Sequence, residues 1–407
     1  MSNKTLLLIV SLILLPNIVD AAPGAADFMQ GAPPDESARV TKANWYVGPF
    51  NRWGLQHVRE ITATRRISRG SGPVSELATS KLPVNELAVE TLGGKPGSIT
   101  DWLESSYTDG FLVLHKGKII SETYMNEMGA DSYHNFFSMS KSFTGSLAGI
   151  LAQRGQLDVN AQITHYVPEM AGGAYEGATV RQLMDMTIGI DYSENYDDPK
   201  ADVYVYSAAS NANPNPTGLA LYDVLPNFRK AGTHGEKFHY VTANTDALGW
   251  VLQRATKRHL AEMLTTEIWS KLGAERDAYV ITDLQGTPWM GAGFNATLRD
   301  AGRFGLMMLQ KGKHNGTRIV PQQFVDDIQN GAIETGFPGT SYRSQWWVNS
   351  NSYSAVGVAG QRITILPEAG LVIVKFSSWP TLSGYHENGR KYDARAFEAI
   401  IRYVSQL

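Results

Sequence analysis

The chain has 407 residues, of which 43% are apolar, and this is enough to bury a substantial core. Its formal net charge is −3 at pH 7 without any basic block, which argues against nucleic acid as a partner. It has no cysteine, so disulfides, thiolate metal sites and a lipid-modified cysteine are excluded. The nine histidines show no metal-ligand spacing, and neither a metal nor a cofactor is predicted.

The N-terminus has the features of a secretory signal peptide over residues 1–21. Lys4 precedes an apolar run over residues 6–15, and Ala21 ends a cleavage site of small residues. The apolar run is too short for a membrane span, although a retained anchor helix is the alternative interpretation. We therefore predict a protein secreted to the bacterial periplasm or the extracellular space, with no membrane contact after cleavage.

The next segments precede the first predicted strands. Residues 22–40 are rich in Ala, Gly and Pro, which is typical of a linker that is poorly ordered at its start. An aromatic-rich segment follows from Trp45 to Trp53 and continues to Glu60. We interpret this second segment as one that packs across the main body of the protein.

Residues 110–124 have the pattern of a β-hairpin. Apolar side chains such as Phe111, Val113 and Ile119 lie on either side of a turn at residues 116–117. Two strands are therefore predicted just before the element that carries the chemistry.

That element is a predicted helix that begins near a serine. Apolar residues recur at helical spacing from Phe143 to Leu151, so the helix is expected to run to about Arg154. Ser138 lies at its N-terminus, where unpaired backbone N–H groups favour developing negative charge. Lys141 lies one turn later on the same face, and a buried lysine has a lowered pKa that lets it accept the serine proton. A helix cap followed by a solvated lysine is the alternative.

The chain after this element is predicted to be mainly helical, and it returns to strands from Gln345. Residues 191–217 form a long irregular region, and loops of that length tend to be functional. Strands at both ends and helices in the middle imply a discontinuous α/β domain with a helical insert. The predicted helices are residues 180–186, 245–255, 259–272, 298–310 (capped by Thr297) and 394–404, and the predicted strands are residues 346–348, 361–366 and 371–377.

The residues around Ser138 and Lys141 carry a resemblance to a known superfamily. The run Phe-Ser-Met-Ser-Lys-Ser-Phe, the helix of small residues after it and then Leu157-Asp158 resemble the nucleophile motif of serine β-lactamases and penicillin-binding proteins. The segment from Trp45 resembles the 6-aminohexanoate-dimer hydrolase branch of this superfamily, which also includes related esterases.

The resemblance implies a fold and domain bounds. It implies one serine hydrolase domain over residues 41–407, with the α/β fold of β-lactamases and DD-peptidases. In that fold an antiparallel sheet is flanked by helices and carries an inserted, mainly helical domain. The α/β part is expected at residues 41–135 and 290–407, and the helical part at residues 136–289.

A second motif of the superfamily, a tyrosine followed two residues later by Asn or Ser, resembles Tyr240-Val241-Thr242. The resemblance implies that Tyr240 shuttles protons, because a nearby ammonium lowers the pKa of a tyrosine hydroxyl. Thr242 replaces the Asn or Ser and keeps a hydrogen-bonding side chain for substrate. Taken alone, Tyr240 would more often be a core aromatic residue.

A third motif of the superfamily places Lys or His before Gly on a strand at the site, and residues 355–361 match its frame. Ala355 stands where the basic residue is expected, and this puts recognition of a β-lactam carboxylate in doubt. Arg362 is a candidate substitute cation. The N–H groups of Val358 and Ser138 are the implied oxyanion hole, and Gly357 is an implied substrate-binding residue. A simple strand bend is the alternative interpretation of these glycines.

We therefore predict a secreted serine hydrolase that cleaves small linear amides or carboxylic esters through an acyl-enzyme on Ser138. Tyr196, in the irregular region, is a candidate substrate-facing residue, and an ordinary packed tyrosine is the alternative. Two other functions stay open at this point. One is a β-lactamase or D-alanyl-D-alanine peptidase, and the other is a non-catalytic binding protein of the same fold. The sequence does not specify the oligomeric state.

Overall fold

The structure, a computed structural model, describes residues 23–382 and 389–407. The signal peptide predicted for residues 1–21 lies outside these residues and stays a prediction. No helix in the described part of the chain is long and apolar enough to cross a membrane.

The described elements are numbered in chain order. The strands are β1 (Thr64–Ile67), β2 (Ala88–Glu90), β3 (Pro96–Ser98), β4 (Thr108–His115), β5 (Lys118–Tyr124), β6 (His134–Asn135), β7 (Ala278–Ile281), β8 (Phe294–Ala296), β9 (Lys313–His314), β10 (Thr317–Arg318), β11 (Ile333–Glu334), β12 (Ser341–Arg343), β13 (Trp346–Asn349), β14 (Ser352–Gly357), β15 (Gln361–Leu366) and β16 (Leu371–Ser377). The helices are α1 (Asn51–Gly54), α2 (Val58–Ile61), α3 (Ile99–Ser105), α4 (Ser140–Gln153), α5 (Ile163–Tyr166), α6 (Val180–Met184), α7 (Asp202–Ala209), α8 (Leu221–Val224), α9 (Thr242–Thr256), α10 (Leu260–Met263), α11 (Leu298–Leu309), α12 (Gln322–Asn330) and α13 (Arg390–Val404).

An antiparallel sheet of eight strands, in the order β11-β12-β13-β14-β15-β16-β4-β5, forms the centre of the α/β part. Side chains alternate across it, because successive residues of a strand point to opposite faces. In β4, Leu112 and Leu114 join the core that contains α4 and α11, whereas Phe111 and Val113 join a second core with α3 and α13. The sheet is therefore covered by helices on both faces. The predicted fold class and the β4–β5 hairpin are confirmed.

The helical part lies between β6 and β7 in the sequence. Helix α4 is buried from Ser140 to Leu151, so it is a central element rather than an amphipathic surface helix. The Phe143 ring stacks on Phe304 of α11 with 3.9 Å between ring centroids, and this contact joins the helical part to the sheet layer.

Several boundaries differ from those predicted. Helix α4 is preceded by a 3₁₀ turn at Phe137–Met139, so Ser138 lies in that turn rather than in the first turn of the helix. Residues 191–217 contain helix α7, which the surrounding Asn, Asp and Pro residues hid from the pattern. The helix predicted over residues 259–272 is α10 followed by a π turn and a 3₁₀ turn. The cap of α11 is confirmed, since the Thr297 side chain accepts a hydrogen bond from the Asp300 N–H.

The N-terminal segment packs across the body. Phe28, within the stretch predicted to be a linker, is buried against Phe50. Trp45 is 2% exposed and stacks on Phe137, with 5.9 Å between the ring centroids. Its indole N–H donates to the Ala212 carbonyl at 3.0 Å. This segment therefore contacts both the start of α4 and the chain after α7.

Candidate active site

Ser138 lies in the 3₁₀ turn that leads into α4. The preceding residue, Phe137, has φ +43°, a conformation that non-glycine residues adopt rarely and that concentrates at functional sites. The Asn135 side chain accepts a hydrogen bond from the Phe137 N–H at 2.9 Å, and the stacking of Trp45 covers the Phe137 ring. These contacts hold the backbone that presents the Ser138 hydroxyl.

Lys141 is buried directly beside Ser138, at 1% exposure. Its Nζ lies 2.8 Å from Ser138 Oγ, 3.1 Å from Thr242 Oγ1 and 2.7 Å from the Gly291 carbonyl oxygen. A neutral amine has two N–H donors and one lone pair. If the donors bind Gly291 and Thr242, the lone pair faces the Ser138 hydroxyl. The geometry therefore suits an amine that accepts the serine proton.

The electrostatic environment of Lys141 favours that neutral form. Burial lowers the pKa of Lys141 below its ordinary value, while the carboxylates of Glu194 and Asp246 act in the opposite direction. The burial effect is the largest of these contributions. The lysine therefore loses its proton more readily than a solvated lysine does.

Asp246 supports the peptide that Lys141 contacts. It lies one helical turn after Thr242 on α9 and accepts hydrogen bonds from the Gly291 N–H and the Tyr206 hydroxyl, each at 3.0 Å. A Cβ at position 291 would lie 2.9 Å from Asp246 Oδ2 and 2.6 Å from Thr242 Cγ2, so this close approach requires glycine. Burial raises the pKa of Asp246. Asp246 thus orients the Gly291 peptide whose carbonyl accepts from Lys141.

Glu194 binds the other neighbour of Lys141. Its carboxylate accepts hydrogen bonds from the Thr242 N–H at 2.6 Å, from the Thr242 hydroxyl, and from the Tyr196 hydroxyl at 2.8 Å. The Thr242 hydroxyl consequently donates to Glu194 and accepts from Lys141. Thr242 therefore contacts the base directly, which is more than the substrate contact predicted for it.

Tyr240 lies beside this group. Its ring centroid is 5.1 Å from Lys141 Nζ, and the ring stacks on Trp347 with 5.5 Å between centroids. Tyr342 packs edge-on against the same ring. The aromatic contacts fix the orientation of the Tyr240 ring next to the lysine.

The third motif lies where β14 turns into β15. A Cβ on Gly357 would lie 2.4 Å from the Phe136 carbonyl oxygen, so glycine is required for β14 to approach the Ser138 turn this closely. Gln361 donates a hydrogen bond to the Ala359 carbonyl and holds the turn that presents Val358. Ala355 is fully buried on β14. Gly357 is therefore needed for the close contact between β14 and the turn that carries Ser138. A simple bend in the strand, the alternative interpretation, would not require this contact.

Arg362 does not replace the missing basic residue, so this candidate was wrong. Its guanidinium lies 5.9 Å from the centroid of the Phe397 ring on α13 and is close to Asp393. It lines neither of the cavities that open at Ser138. The packing of α13 against this strand determines the direction of the Arg362 side chain.

Two cavities meet at Ser138 and share Ser138, Tyr196 and Val358 as lining residues. The cavity that Tyr240 does not line, here named the acyl-side cavity, has a volume of about 480 Å³ including its open mouth, and the cavity that Tyr240 lines, the Tyr240-side cavity, has one of about 900 Å³. The acyl-side cavity is also lined by Trp45, Tyr46, Phe137, Val203, Trp289 and Ala292, among others. The Tyr240-side cavity is also lined by Glu194, Tyr240, Phe337, Trp347, Val356 and Gly357. The structure thus brings together Ser138, Lys141, Tyr196, Tyr240, Thr242, Gly357 and Val358, all of which were predicted from the sequence.

Glu194 and Asp246 were missed by the sequence analysis. Asp246 lies in the helix predicted over residues 245–255, but Thr242 precedes that predicted helix, and only the structure, in which α9 begins at Thr242, places the two side chains on one helix face. Glu194 lies two residues before Tyr196 in the irregular region, where neighbouring acidic residues gave no basis for choosing it.

We expect Glu194→Gln to shift the pH dependence of the reaction. The Glu194 carboxylate stabilises the Lys141 ammonium, so its removal lowers the pKa of Lys141 further. The amide has nearly the shape of the carboxylate, and its oxygen can still accept from the Thr242 N–H, while its N–H groups face the Thr242 and Tyr196 hydroxyls, which must turn their protons to other acceptors. The rising limb of kcat/KM against pH should therefore move to lower pH by about one unit.

The matched control is Asp197→Asn, which removes an exposed carboxylate three residues later in the same segment. It should leave the pH profile unchanged. A rising limb that stays in place or moves to higher pH in Glu194→Gln would show that this carboxylate does not act on the catalytic base.

Known proteins resemble this chain in sequence and in fold. The profile of the Beta-lactamase family matches residues 107–397. The chain is 35% identical over 363 residues to the 6-aminohexanoate-dimer hydrolase of Paenarthrobacter ureafaciens, covering 86% of this chain and 91% of that protein. A solved structure from Bacillus anthracis, provisionally assigned as a 6-aminohexanoate-dimer hydrolase, superposes with a TM-score of 0.83 at 31% identity, covering 90% of this chain and 98% of the other. A family VIII carboxylesterase has the same fold, with a TM-score of 0.53 at 16% identity over 72% of this chain and 91% of that one.

Proposed function

Since this chain belongs to the beta-lactamase family and is a serine hydrolase, we propose that it cleaves carboxylic esters or linear amides through an acyl-enzyme on Ser138. The family predicted from the Ser138 motif is confirmed. The observation that carries the proposal is the 2.8 Å contact between Ser138 Oγ and the buried Lys141 Nζ at the junction of two cavities. The relative from Paenarthrobacter is named for a substrate of the amide class.

In the acylation step the Ser138 oxygen attacks the substrate carbonyl carbon, and its proton passes to the Lys141 amine. Negative charge develops on the carbonyl oxygen, and the backbone N–H groups of Ser138 and Val358 are proposed to bind it. The Ser138 N–H belongs to the turn before α4, so the helix N-terminus adds to this stabilisation.

The tetrahedral intermediate then breaks the bond to the leaving group. Tyr240 lies beside Lys141 and is proposed to deliver its hydroxyl proton to the leaving oxygen or nitrogen, after which the Lys141 ammonium passes the serine proton to Tyr240. Water subsequently attacks the acyl-enzyme, its proton returns through the same groups, and the carboxylic acid leaves with Ser138 restored. Every proton taken from serine or water is thereby returned, and no cofactor is needed.

The charges around Ser138 argue against a β-lactam substrate. In the described part of the chain, the two cavities are lined by one charged residue, Glu194, which is an acid. A β-lactam carboxylate would find no cationic partner there, because Ala355 is neutral and Arg362 packs against α13. Neutral esters and amides need no such partner. The alternative of a β-lactamase or D-alanyl-D-alanine peptidase is therefore less well supported.

We expect the mature protein to hydrolyse p-nitrophenyl butyrate with a kcat/KM well above that for nitrocefin. A charge-assisted contact to the carboxylate is absent, and this costs the β-lactam about ten- to a hundred-fold in kcat/KM. Initial rates with both chromogenic substrates, measured on the same preparation, test the expectation. The Ser138→Ala variant supplies the background rate for each substrate.

A kcat/KM for nitrocefin that exceeds the value for the ester would replace this proposal with a β-lactamase. Absence of turnover with esters, linear amides and nitrocefin alike would contradict hydrolysis of all three classes.

A further inference from the structure

The acyl-side cavity differs in character from the Tyr240-side cavity. The aromatic side chains of Trp45, Phe137 and Trp289 and the aliphatic Val203 form its walls, each at most 7% exposed. None of its described lining residues carries a charge. The N-terminal segment contributes Trp45, so this wall comes from outside the helical part and the sheet.

The Asn213, Ser207 and Trp45 side chains of this wall are already paired, whereas the buried indole N–H of Trp289 has no hydrogen-bond partner among the described residues and can only donate. The Asn213 amide donates to Ser207 Oγ at 2.9 Å, and the Ser207 hydroxyl donates to the Tyr204 carbonyl at 3.0 Å. The Trp45 indole N–H binds the Ala212 carbonyl. A cationic group that entered the cavity would lose its hydration and gain no carboxylate partner there. Stacking over the aromatic rings returns only part of that loss, because cation–π contacts are weaker than full hydration of an ammonium.

Tyr240 determines which half of the substrate enters this cavity. A proton donor must lie next to the leaving atom, and Tyr240 lines the Tyr240-side cavity but not the acyl-side cavity. The leaving group therefore belongs on the side of Tyr240, Glu194 and Trp347. The acyl group occupies the opposite, uncharged cavity.

We propose that this hydrolase selects substrates whose acyl group is uncharged and apolar. The inference rests on the proposed function and goes beyond it by naming the chemical class of the acyl group. The proposal implies that the 6-aminohexanoate dimer is a poor substrate for this enzyme, because its acyl half ends in an amine that is charged at neutral pH.

A pair of esters isolates the charge. p-Nitrophenyl heptanoate and p-nitrophenyl 6-aminohexanoate have the same leaving group and the same length, and they differ by a methyl against an ammonium at the end of the acyl chain. We expect kcat/KM at pH 7 to be at least about 30-fold higher for the heptanoate, because the ammonium must be desolvated without a partner. Equal values, or a preference for the ammonium ester, would overturn the proposal while leaving hydrolysis intact.

A variant of the cavity wall tests the same cause. Asn213→Asp adds one negative charge at nearly constant size. We expect it to raise the kcat/KM for the ammonium ester, relative to that for the heptanoate, by about ten-fold. Asn215→Asp, at a partly buried position two residues away that does not line the cavity, adds the same charge outside it and should not change this ratio of kcat/KM values. If this ratio of kcat/KM values is the same in Asn213→Asp as in wild type, the acyl chain does not bind in the acyl-side cavity and the proposal is wrong. Failure to hydrolyse either ester in wild type would overturn the proposed function, and this inference with it.

Discussion

Ser138→Ala is expected to lose covalent labelling by a fluorophosphonate probe and to lower kcat by at least about 10⁴-fold. The alanine has no oxygen to form the acyl-enzyme, and the Lys141 amine has no proton to accept from it. The side chain is 7% exposed and small, so its removal should leave the fold intact. Intact-protein mass spectrometry after probe treatment, with peptide mapping of the labelled site, measures the result directly.

A neighbouring serine supplies the matched control. Ser140 is buried, and its hydroxyl donates to the Phe137 carbonyl at 2.6 Å and accepts from the Phe294 N–H at 3.0 Å. Because both contacts are structural, Ser140→Ala should lose stability but keep fluorophosphonate labelling of the folded protein. Labelling that persists in Ser138→Ala would assign the nucleophile to another serine.

The part of this site that the residues alone predicted is local in the chain. Ser138 and Lys141 are three residues apart where the 3₁₀ turn runs into α4, so their contact follows from helical geometry. Tyr240, Gly357 and Val358 were predicted through the resemblance to a known family, and the structure shows why position 357 needs glycine, since a Cβ there would meet the Phe136 carbonyl oxygen. The alternation of β4 likewise predicted its strand without knowledge of its partners.

The parts that could not be predicted depend on packing between distant segments. Glu194 reaches Thr242 across 48 residues, and no local pattern indicates which acidic residue of the irregular region makes that contact. Arg362 could be named only as a candidate cation, because the spacing along β15 does not reveal that its side chain packs against α13. Helix α7 was missed because turn-forming residues surround it. It carries Tyr206, which donates a hydrogen bond to Asp246, and Val203, which lines the acyl-side cavity.

Lys141→Ala is expected to lower kcat/KM by about 10²–10⁴-fold, because the serine proton loses its acceptor. The substitution also leaves the Gly291 carbonyl without this donor, which costs about 1–3 kcal/mol of stability. Activity should thus fall far more than the folded fraction does. Steady-state kinetics and thermal unfolding on the same preparation separate the two effects.

Two further measurements distinguish a catalytic base from a buried structural lysine. Added methylamine fits the space left by the side chain and should restore part of the activity of Lys141→Ala, increasingly as the pH rises and the free amine becomes neutral. Lys375 is the matched contrast, since it is also fully buried but lies 3.3 Å from Asp393 of α13. Lys375→Ala breaks a buried pair and should cost about 3–5 kcal/mol of stability, while the protein that stays folded keeps its kcat/KM. Near-wild-type turnover in Lys141→Ala with an intact fold would exclude this lysine as the base, and the acceptor of the Ser138 proton would then have to be sought among the groups around Tyr240.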